Sequence, residues 1–270
     1  MSETWTPLQL LSWTQGYFGR QGVDAPRLTA ELLLASALGC DRVRLYLDFD
    51  KPLGEPELSA FRELVKRRAG GEPTAYLTGT KEFLGRRFRV DSRVLVPRPE
   101  TELVAEAALQ ALPEAGSALD LCTGSGCVAA FLALEGKGAR VAAVDLCPDA
   151  LALARENAQA LGAEVELFQG DLYEPLPRDR RFDVVVANPP YVPSGELAGL
   201  AREVQREPRL ALDGGPDGLR VLRRLVAEMH ESHLAVLPRL CLEAGFATAA
   251  AHQDLAGLPR YVLARLGGSA

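Results

Sequence analysis

The chain has 270 residues, 47% of them hydrophobic, with 30 Lys+Arg against 36 Asp+Glu and a formal net charge of −6. That length fits one α/β domain plus a modest second one, and the acidic balance, with a sequence pI of about 5.3, excludes a protein that relies on blanketing nucleic-acid phosphates. No apolar run of about 18 residues is present, so no membrane-spanning helix is expected. The five cysteines (Cys40, Cys122, Cys127, Cys147, Cys241) lack paired metal-ligand spacing; with no secretory leader in view they predict reduced thiols in a cytoplasmic protein.

From Pro7 to about Ala69 the pattern is helical. Asp24 is placed to cap a helix with Pro26 in its first turn and Leu28, Leu32, Ala35 and Leu38 on its inner face, ending near Gly39. A second helix carries Leu58, Phe61, Leu64 and Val65 and stops at Gly70-Gly71. The expected product is a small helical bundle, with Trp5, Trp13, Tyr17 and Phe18 in its core or at an interface. Tyr76-Leu77-Thr78-Gly79 and the stretch from Lys81 to Val90 then read as a short hairpin turning near Gly85.

In Pro97-Arg98-Pro99-Glu100-Thr101-Glu102 two prolines bracket an arginine, and two carboxylates open a helix with Leu103, Ala107 and Leu109 as its apolar face. Ser117-Ala118-Leu119-Asp120-Leu121 reads as the first strand of a doubly wound sheet. Cys122-Thr123-Gly124-Ser125-Gly126 is the loop into the next helix, where glycines let backbone approach a nucleoside. A second strand from Arg140 ends on Asp145, about 20 residues on, where this fold puts the carboxylate that takes two ribose hydroxyls. Ala129 stands where a phosphate fingerprint has its third glycine. Pro148 opens a helix with Leu151, Ala154, Ala158 and Leu161 inward, closed by Gly162. A third strand leads to Gly170-Asp171-Leu172, with Asp171 placed to accept from an adenine amino group and Leu172 to pack on the base.

The fourth strand contains three consecutive valines and ends in Asn188-Pro189-Pro190-Tyr191 beside the first, at the point where strand order reverses. Two prolines stiffen the turn and remove two donors, so it presents acceptors next to a flat aromatic ring. Asn-Pro-Pro-Tyr after a strand resembles the signature of methyltransferases acting on an amide or an exocyclic amino nitrogen. The turn by itself leaves both acceptors open.

Taken together, the Pro-Arg-Pro-Glu-Thr-Glu stretch, Asp120-Leu121-Cys122-Thr123-Gly124-Ser125-Gly126, Val144-Asp145, Gly170-Asp171 and Asn188-Pro189-Pro190-Tyr191 resemble the HemK/PrmC family of release factor glutamine N5-methyltransferases over nearly the whole chain. The resemblance implies a Rossmann-like class I methyltransferase sheet at 98–270, an N-terminal helical bundle at 1–72 that docks substrate, and a β-hairpin linker at 73–97. It implies S-adenosylmethionine as donor, held by Cys122, Thr123, Gly124, Ser125, Gly126, Asp145, Asp171, Leu172 and Asn188. As acceptor it implies the glutamine of the Gly-Gly-Gln motif in bacterial class 1 release factors, held by Asn188, Pro189, Pro190 and Tyr191 as the catalytic turn. The expected protein is a monomer with no bound metal and no direct nucleic-acid partner.

Three rivals share parts of the pattern. A sister glutamine methyltransferase acting on a ribosomal protein has similar motifs, against which Glu100-Thr101-Glu102 points to the release-factor branch. An N6-adenine methyltransferase of DNA or RNA fits the same turn, but the net charge and the lack of a basic, aromatic-rich target domain oppose it. The third is a cofactor-binding module without activity. One departure from the family pattern stands out: no glycine appears between Gly218 and Gly245, and the strand expected there is shortened or missing. His230, Glu231 and His233 read as a solvated helix face rather than as metal ligands. Tyr261-Val262-Leu263-Ala264 reads as a strand of a final hairpin.

Overall fold

The computed structural model describes residues 5–228, 246–253 and 259–266. It divides into two compact units, Met1–Thr80 with Ala201–Arg206, and Lys81–Leu200 with Glu207–Ala270. No described helix is long and apolar enough to cross a membrane.

The first unit contains α1 (Pro7–Arg20), α2 (Pro26–Ala37), α3 (Arg42–Leu47), α4 (Glu55–Ala69) and α5 (Thr74–Thr78). Helix α1 starts on a reciprocal cap, in which Thr6 and Gln9 each accept from the other's backbone N–H. Leu11 and Phe18 of α1, Ala30, Leu33 and Leu34 of α2, and Phe61 and Val65 of α4 close on one another as a core. Burial of each of the larger side chains contributes about 1.5–3 kcal/mol. Glu31 lies inside this unit, its carboxylate accepting from Arg27, Arg42 and the Tyr46 hydroxyl. Arg68, also buried, pairs with Glu203 of the returning segment Ala201–Arg206.

Helix α2 corrects two expectations. Asp24 does not cap it: the Asp24 carbonyl accepts from the Thr29 hydroxyl, and Ala25 enters the helix with a left-handed φ of 41°. Of the expected inner face Ala35 is buried and Leu38 packs on the same core, but Ala30, Leu33 and Leu34 make up the rest, while Leu28 is left 42% exposed. Leucines at 28, 32, 33 and 34 offer two apolar stripes, and packing against α1, α4 and α5 selects the second. Helix α4 ends on Gly70 as its composition requires.

The second unit begins with the hairpin β1 (Thr80–Phe83) and β2 (Arg86–Arg89). It turns at Leu84 and Gly85, both at positive φ, which matches the right-handed twist of the two strands. Phe83 and Phe88 meet edge to face at 6.1 Å. The preceding Tyr76-Leu77-Thr78 belongs to α5 instead of the hairpin, because Pro73 at its N-cap starts a helical turn that Gly79 ends. Four parallel strands, β3 (Ser117–Leu121), β4 (Arg140–Asp145), β5 (Val165–Gln169) and β6 (Val184–Ala187), run in the order β5-β4-β3-β6. This is the doubly wound arrangement, with the reversal of strand order between β3 and β6.

Helices α6 (Pro99–Ala111), α7 (Cys127–Glu135) and α8 (Pro148–Leu161) accompany the sheet. Helix α6 turns Thr101, Ala105 and Ala108 inward, with the expected Leu109 packed on the same core, while the expected Leu103 and Ala107 are only half-buried, because small residues let the helix lie close to α7. After β6 come three short 3-10 turns, then α9 (Arg220–Glu228) and the antiparallel pair β7 (Phe246–Gln253) and β8 (Pro259–Leu266). The final hairpin is therefore present. The expectation of a missing strand between Gly218 and Gly245 bears on residues 229–245, which lie outside the described residues, as do His230, Glu231 and His233.

Candidate active site

Strand register gathers the candidate residues. Leu121 at the end of β3 pairs with Val144 of β4 and with Ala187 of β6. The next residue on each strand is Cys122, Asp145 and Asn188, so the three leave the sheet side by side at its carboxyl edge, with neighbouring strands about 5 Å apart. Gln169 of β5 pairs with Asp145, and the Gly170 N–H donates to the Asp145 carbonyl, which brings Asp171 and Leu172 to the same edge. In an open α/β sheet this crevice is where ligands bind.

The loop at 122–126 is held from two sides. Gly124 N–H donates to Asp145 Oδ2 at 2.8 Å, and Cys147 N–H donates to Oδ1 at 2.9 Å. Burial raises the Asp145 carboxyl above its ordinary range, while these N–H groups pull it down. The Leu146 N–H is a third backbone donor to this carboxylate, which as an acceptor-only group can still take a hydroxyl. Gly126, at φ 77°, caps α7, and a Cβ there would stand 3.0 Å from that of Ala154, so a larger residue would push the loop off α8. Cys122 and Leu172 both adopt positive φ, at 57° and 51°. For such residues this conformation costs about 1–3 kcal/mol and is concentrated at ligand sites. Burial pushes the Cys122 and Cys127 thiols up to about 12, which makes neither a nucleophile at neutral pH.

Two cofactor candidates are engaged differently from expectation. Asp171 Oδ2 accepts from Arg224 at 2.7 Å, so an adenine amino group would share this carboxylate with a guanidinium. The Leu172 side chain is buried among Leu119, Leu121, Ala142 and Val144 instead of projecting toward a base. Its backbone is what it can offer. Leu146, next to Asp145, is about half exposed.

At the acceptor side, Asn188 is half-buried and donates through Nδ2 to Thr101 Oγ1 at 3.2 Å. Pro189 is buried and Tyr191 is exposed. The backbone beyond Tyr191 is laced to residues 212–215: Val192 N–H donates to the Leu212 carbonyl, Gly214 N–H to that of Val192, and Ser194 N–H to that of Gly215.

Several functional residues escape sequence reasoning. Asp120 is buried beneath the loop, its Oδ2 accepting from Thr123 Oγ1 at 2.6 Å and from Ala129 N–H at 3.2 Å. A carboxylate in the middle of an apolar strand was the available signal. Burial, opposed by those two donors, raises it to about 7. Between roughly pH 4 and 7 the folded chain therefore holds a proton that the unfolded chain, with an ordinary carboxyl near 3.9, has released. The stability this contributes is full below the unfolded value and is lost as pH rises through 7. Melting curves at pH 5 and pH 8 should show the parent losing stability relative to Asp120→Asn; parallel pH dependence would contradict this.

A carboxylate pocket of the same kind anchors the start of α6. Glu207, buried, accepts from Val96 N–H at 2.9 Å and from the Arg98 guanidinium, while Glu102 accepts from Leu84 N–H at 3.1 Å. The Pro-Arg-Pro-Glu-Thr-Glu stretch is thus a bracket, with Thr101 as its contact to Asn188.

The parallel sheet with its glycine loop, its ribose-type carboxylate and its Asn-Pro-Pro-Tyr turn defines a methyltransferase of the Rossmann-like class. In keeping with this, residues 100–215 match the methyltransferase small domain family and residues 9–79 match the PrmC N-terminal domain. The hMettl16 catalytic domain, 13% identical, superposes with a TM-score of 0.53 over 76% of this chain and 90% of that one, a likeness of fold. The release factor glutamine methyltransferase of Geobacter sulfurreducens is 51% identical over 83% of this chain and 79% of its own length. That of Chlorobaculum tepidum is 42% identical over 97% and 90%. The chain belongs to the release factor glutamine methyltransferase family.

Proposed function

We propose that this chain transfers the methyl group of S-adenosylmethionine to the side-chain amide nitrogen of the glutamine in the Gly-Gly-Gln motif of bacterial class 1 peptide chain release factors. The observation that carries the reading is Asn188: its Nδ2 is tied to Thr101, so its Oδ1 is left as an acceptor at the sheet edge, one strand from the glycine loop. When bound, S-adenosylmethionine supplies an electrophilic methyl on a sulfonium. Residues 122–126 with Asp145, Asp171 and the Leu172 backbone are the candidates to hold it, Asp145 at the end of β4 being the acceptor for ribose hydroxyls.

A carboxamide nitrogen is a weak nucleophile because its lone pair is delocalised into the carbonyl. Asn188 Oδ1 and the Pro189 carbonyl would accept its two hydrogens, which fixes the direction of the lone pair and favours the positive charge that builds on nitrogen as the methyl–sulfur bond breaks; one of the two protons then passes to solvent, leaving the N-methyl amide and a neutral thioether. Orientation of this kind contributes up to about 7–11 kcal/mol. Tyr191 offers a face for the planar amide. One glutamine is too small to select a protein, and the helical unit supplies the second contact. Leu8, Trp13, Val43, Leu47 and Phe49 of that unit are large apolar side chains that stand exposed. The reaction is placed in the cytoplasm, and the enzyme acts as a monomer.

The test is label transfer from methyl-tritiated S-adenosylmethionine to three purified acceptors: a class 1 release factor, ribosomal protein, and duplex DNA with RNA. Label on the release factor alone is expected; label on either of the others in preference to it would overturn the reading. Asp145→Ala should weaken cofactor binding about 10- to 100-fold, the worth of one hydrogen bond to a charged acceptor. Transfer at saturating cofactor should be largely kept. Isothermal titration checks this, and an unchanged dissociation constant would refute the role of Asp145.

A further inference from the structure

We infer that Thr101 is a positioning residue for the transfer, its hydroxyl fixing the rotation of the Asn188 amide beside the nitrogen to be methylated. The inference rests on the reading of Asn188 Oδ1 as the substrate's acceptor. An asparagine amide is nearly symmetric in shape but opposite in polarity at its two ends, and rotation about its last bond exchanges them. With Nδ2 toward the substrate, its N–H groups would oppose the N–H groups of the incoming glutamine, and the acceptor would be lost. A hydroxyl can accept from Nδ2 or donate to Oδ1, so what a fixed partner on the other side of the amide sets is the rotation of its plane, and the N–H groups of the substrate then select the oxygen end.

Thr101 is that partner: its Oγ1 takes the Asn188 Nδ2 hydrogen at 3.2 Å, and the residue is only 6% exposed, so water cannot easily substitute. The hydroxyl itself is held by a rigid support. It projects from the first turn of α6, where Pro99 fixes the backbone, and Arg98 on one side is locked to buried Glu207, which also takes the Val96 N–H. On the other side Glu102 is locked to the Leu84 N–H. Every polar residue of the stretch from Arg98 to Glu102 for which a side-chain hydrogen bond is described thus either contacts Asn188 or anchors the one that does. Residues anchored in this way hold the group they support in one orientation.

The experiment compares Thr101→Val, which keeps the shape and removes the hydroxyl, with Thr101→Ser, which keeps the hydroxyl. Transfer from labelled S-adenosylmethionine to whole release factor is measured beside cofactor titration and thermal melting of the full chain. Thr101→Val should lower kcat about tenfold, the effect of losing one hydrogen bond, with KM for the release factor and Kd for the cofactor within about twofold. Thr101→Ser should stay within about threefold of the parent. Placed on Asn188→Ala, Thr101→Val should cause no further loss, since the two act as a unit. Unchanged kcat in Thr101→Val, a serine variant as impaired as the valine one, or full additivity with Asn188→Ala would each overturn the inference. Retained transfer in Asn188→Ala alone would instead remove the reading of Asn188 on which it rests, so the two failures are distinguishable.

Discussion

Replacing Asn188 by alanine is expected to lower methyl transfer by about 10²–10³-fold, the effect of removing one preorganised group aimed at developing charge. Cofactor binding should change by less than about threefold. The difference follows from where the residue stands. Asn188 leaves β6, whereas the loop at 122–126 and Asp145 hang on β3 and β4 and are tied to one another through Gly124 and Cys147. None of those bonds involves Asn188, whose described side-chain hydrogen bond goes to Thr101 on α6. Loss of the side chain should thus strip an acceptor from the substrate while leaving the nucleoside crevice intact. Titration with the cofactor beside a transfer assay decides: equal loss in both would contradict the positioning role.

Gly218→Ala should be nearly as damaging, although residue 218 lies thirty positions from the turn in sequence. Gly218 sits at φ 76°, and a Cβ there would fall 2.3 Å from the Tyr191 carbonyl oxygen and 3.3 Å from Pro193 Cδ. Backbone must give way. The left-handed conformation alone costs a non-glycine residue about 1–2 kcal/mol, and the contact adds to it. The nearest route to relief moves Tyr191, and with it the turn that aligns the glutamine. A displacement of about 1 Å in a reacting geometry lowers rate by about 100-fold. We expect that loss in transfer, a modest fall in melting temperature and cofactor affinity within threefold. Gly195→Ala, where nothing stands within 4 Å of the added carbon, is the matched control and should be silent. Undiminished transfer in Gly218→Ala would show that the turn tolerates displacement.

Much of this architecture was legible in the residues because the central strands β3 and β4 are buried and β6 beside them is apolar. Val184-Val185-Val186 and Ala142-Ala143-Val144 are continuous apolar runs that stop abruptly at the residues of interest, Asn188 and Asp145. Helix α8 likewise announced itself, from Pro148 in its first turn to Gly162 after its last. Where apolar residues surround a helix, as in α2, periodicity offers more than one face and only packing chooses. In α6 the inner face is built from threonine and alanine, which carry little hydrophobic signal.

Partnerships across long sequence separations were the part that spacing could not reveal. Thr101 meets Asn188 across 87 residues, and Arg98 meets Glu207 across 109. In sequence, Glu207 is one acid among several on a polar stretch, and the two carboxylates after Pro99 look like ordinary complements to a helix dipole. Their function depends on chain crossing that only the fold supplies. Asp120 was hidden for a different reason: its position in a strand is evident, but the need for a buried acceptor under the glycine loop becomes visible only once Thr123 and Ala129 are placed above it.

On the proposed reading the turn at Asn188 presents a protein glutamine to the methyl donor. Incubating the chain with S-adenosylmethionine and a purified class 1 release factor, followed by mass spectrometry of the peptide containing Gly-Gly-Gln, tests it most directly. A gain of one methyl mapped to that glutamine is predicted, with no gain when Asn188→Ala replaces the parent. An unmodified peptide, or a methyl mapped to any other residue, would contradict the account.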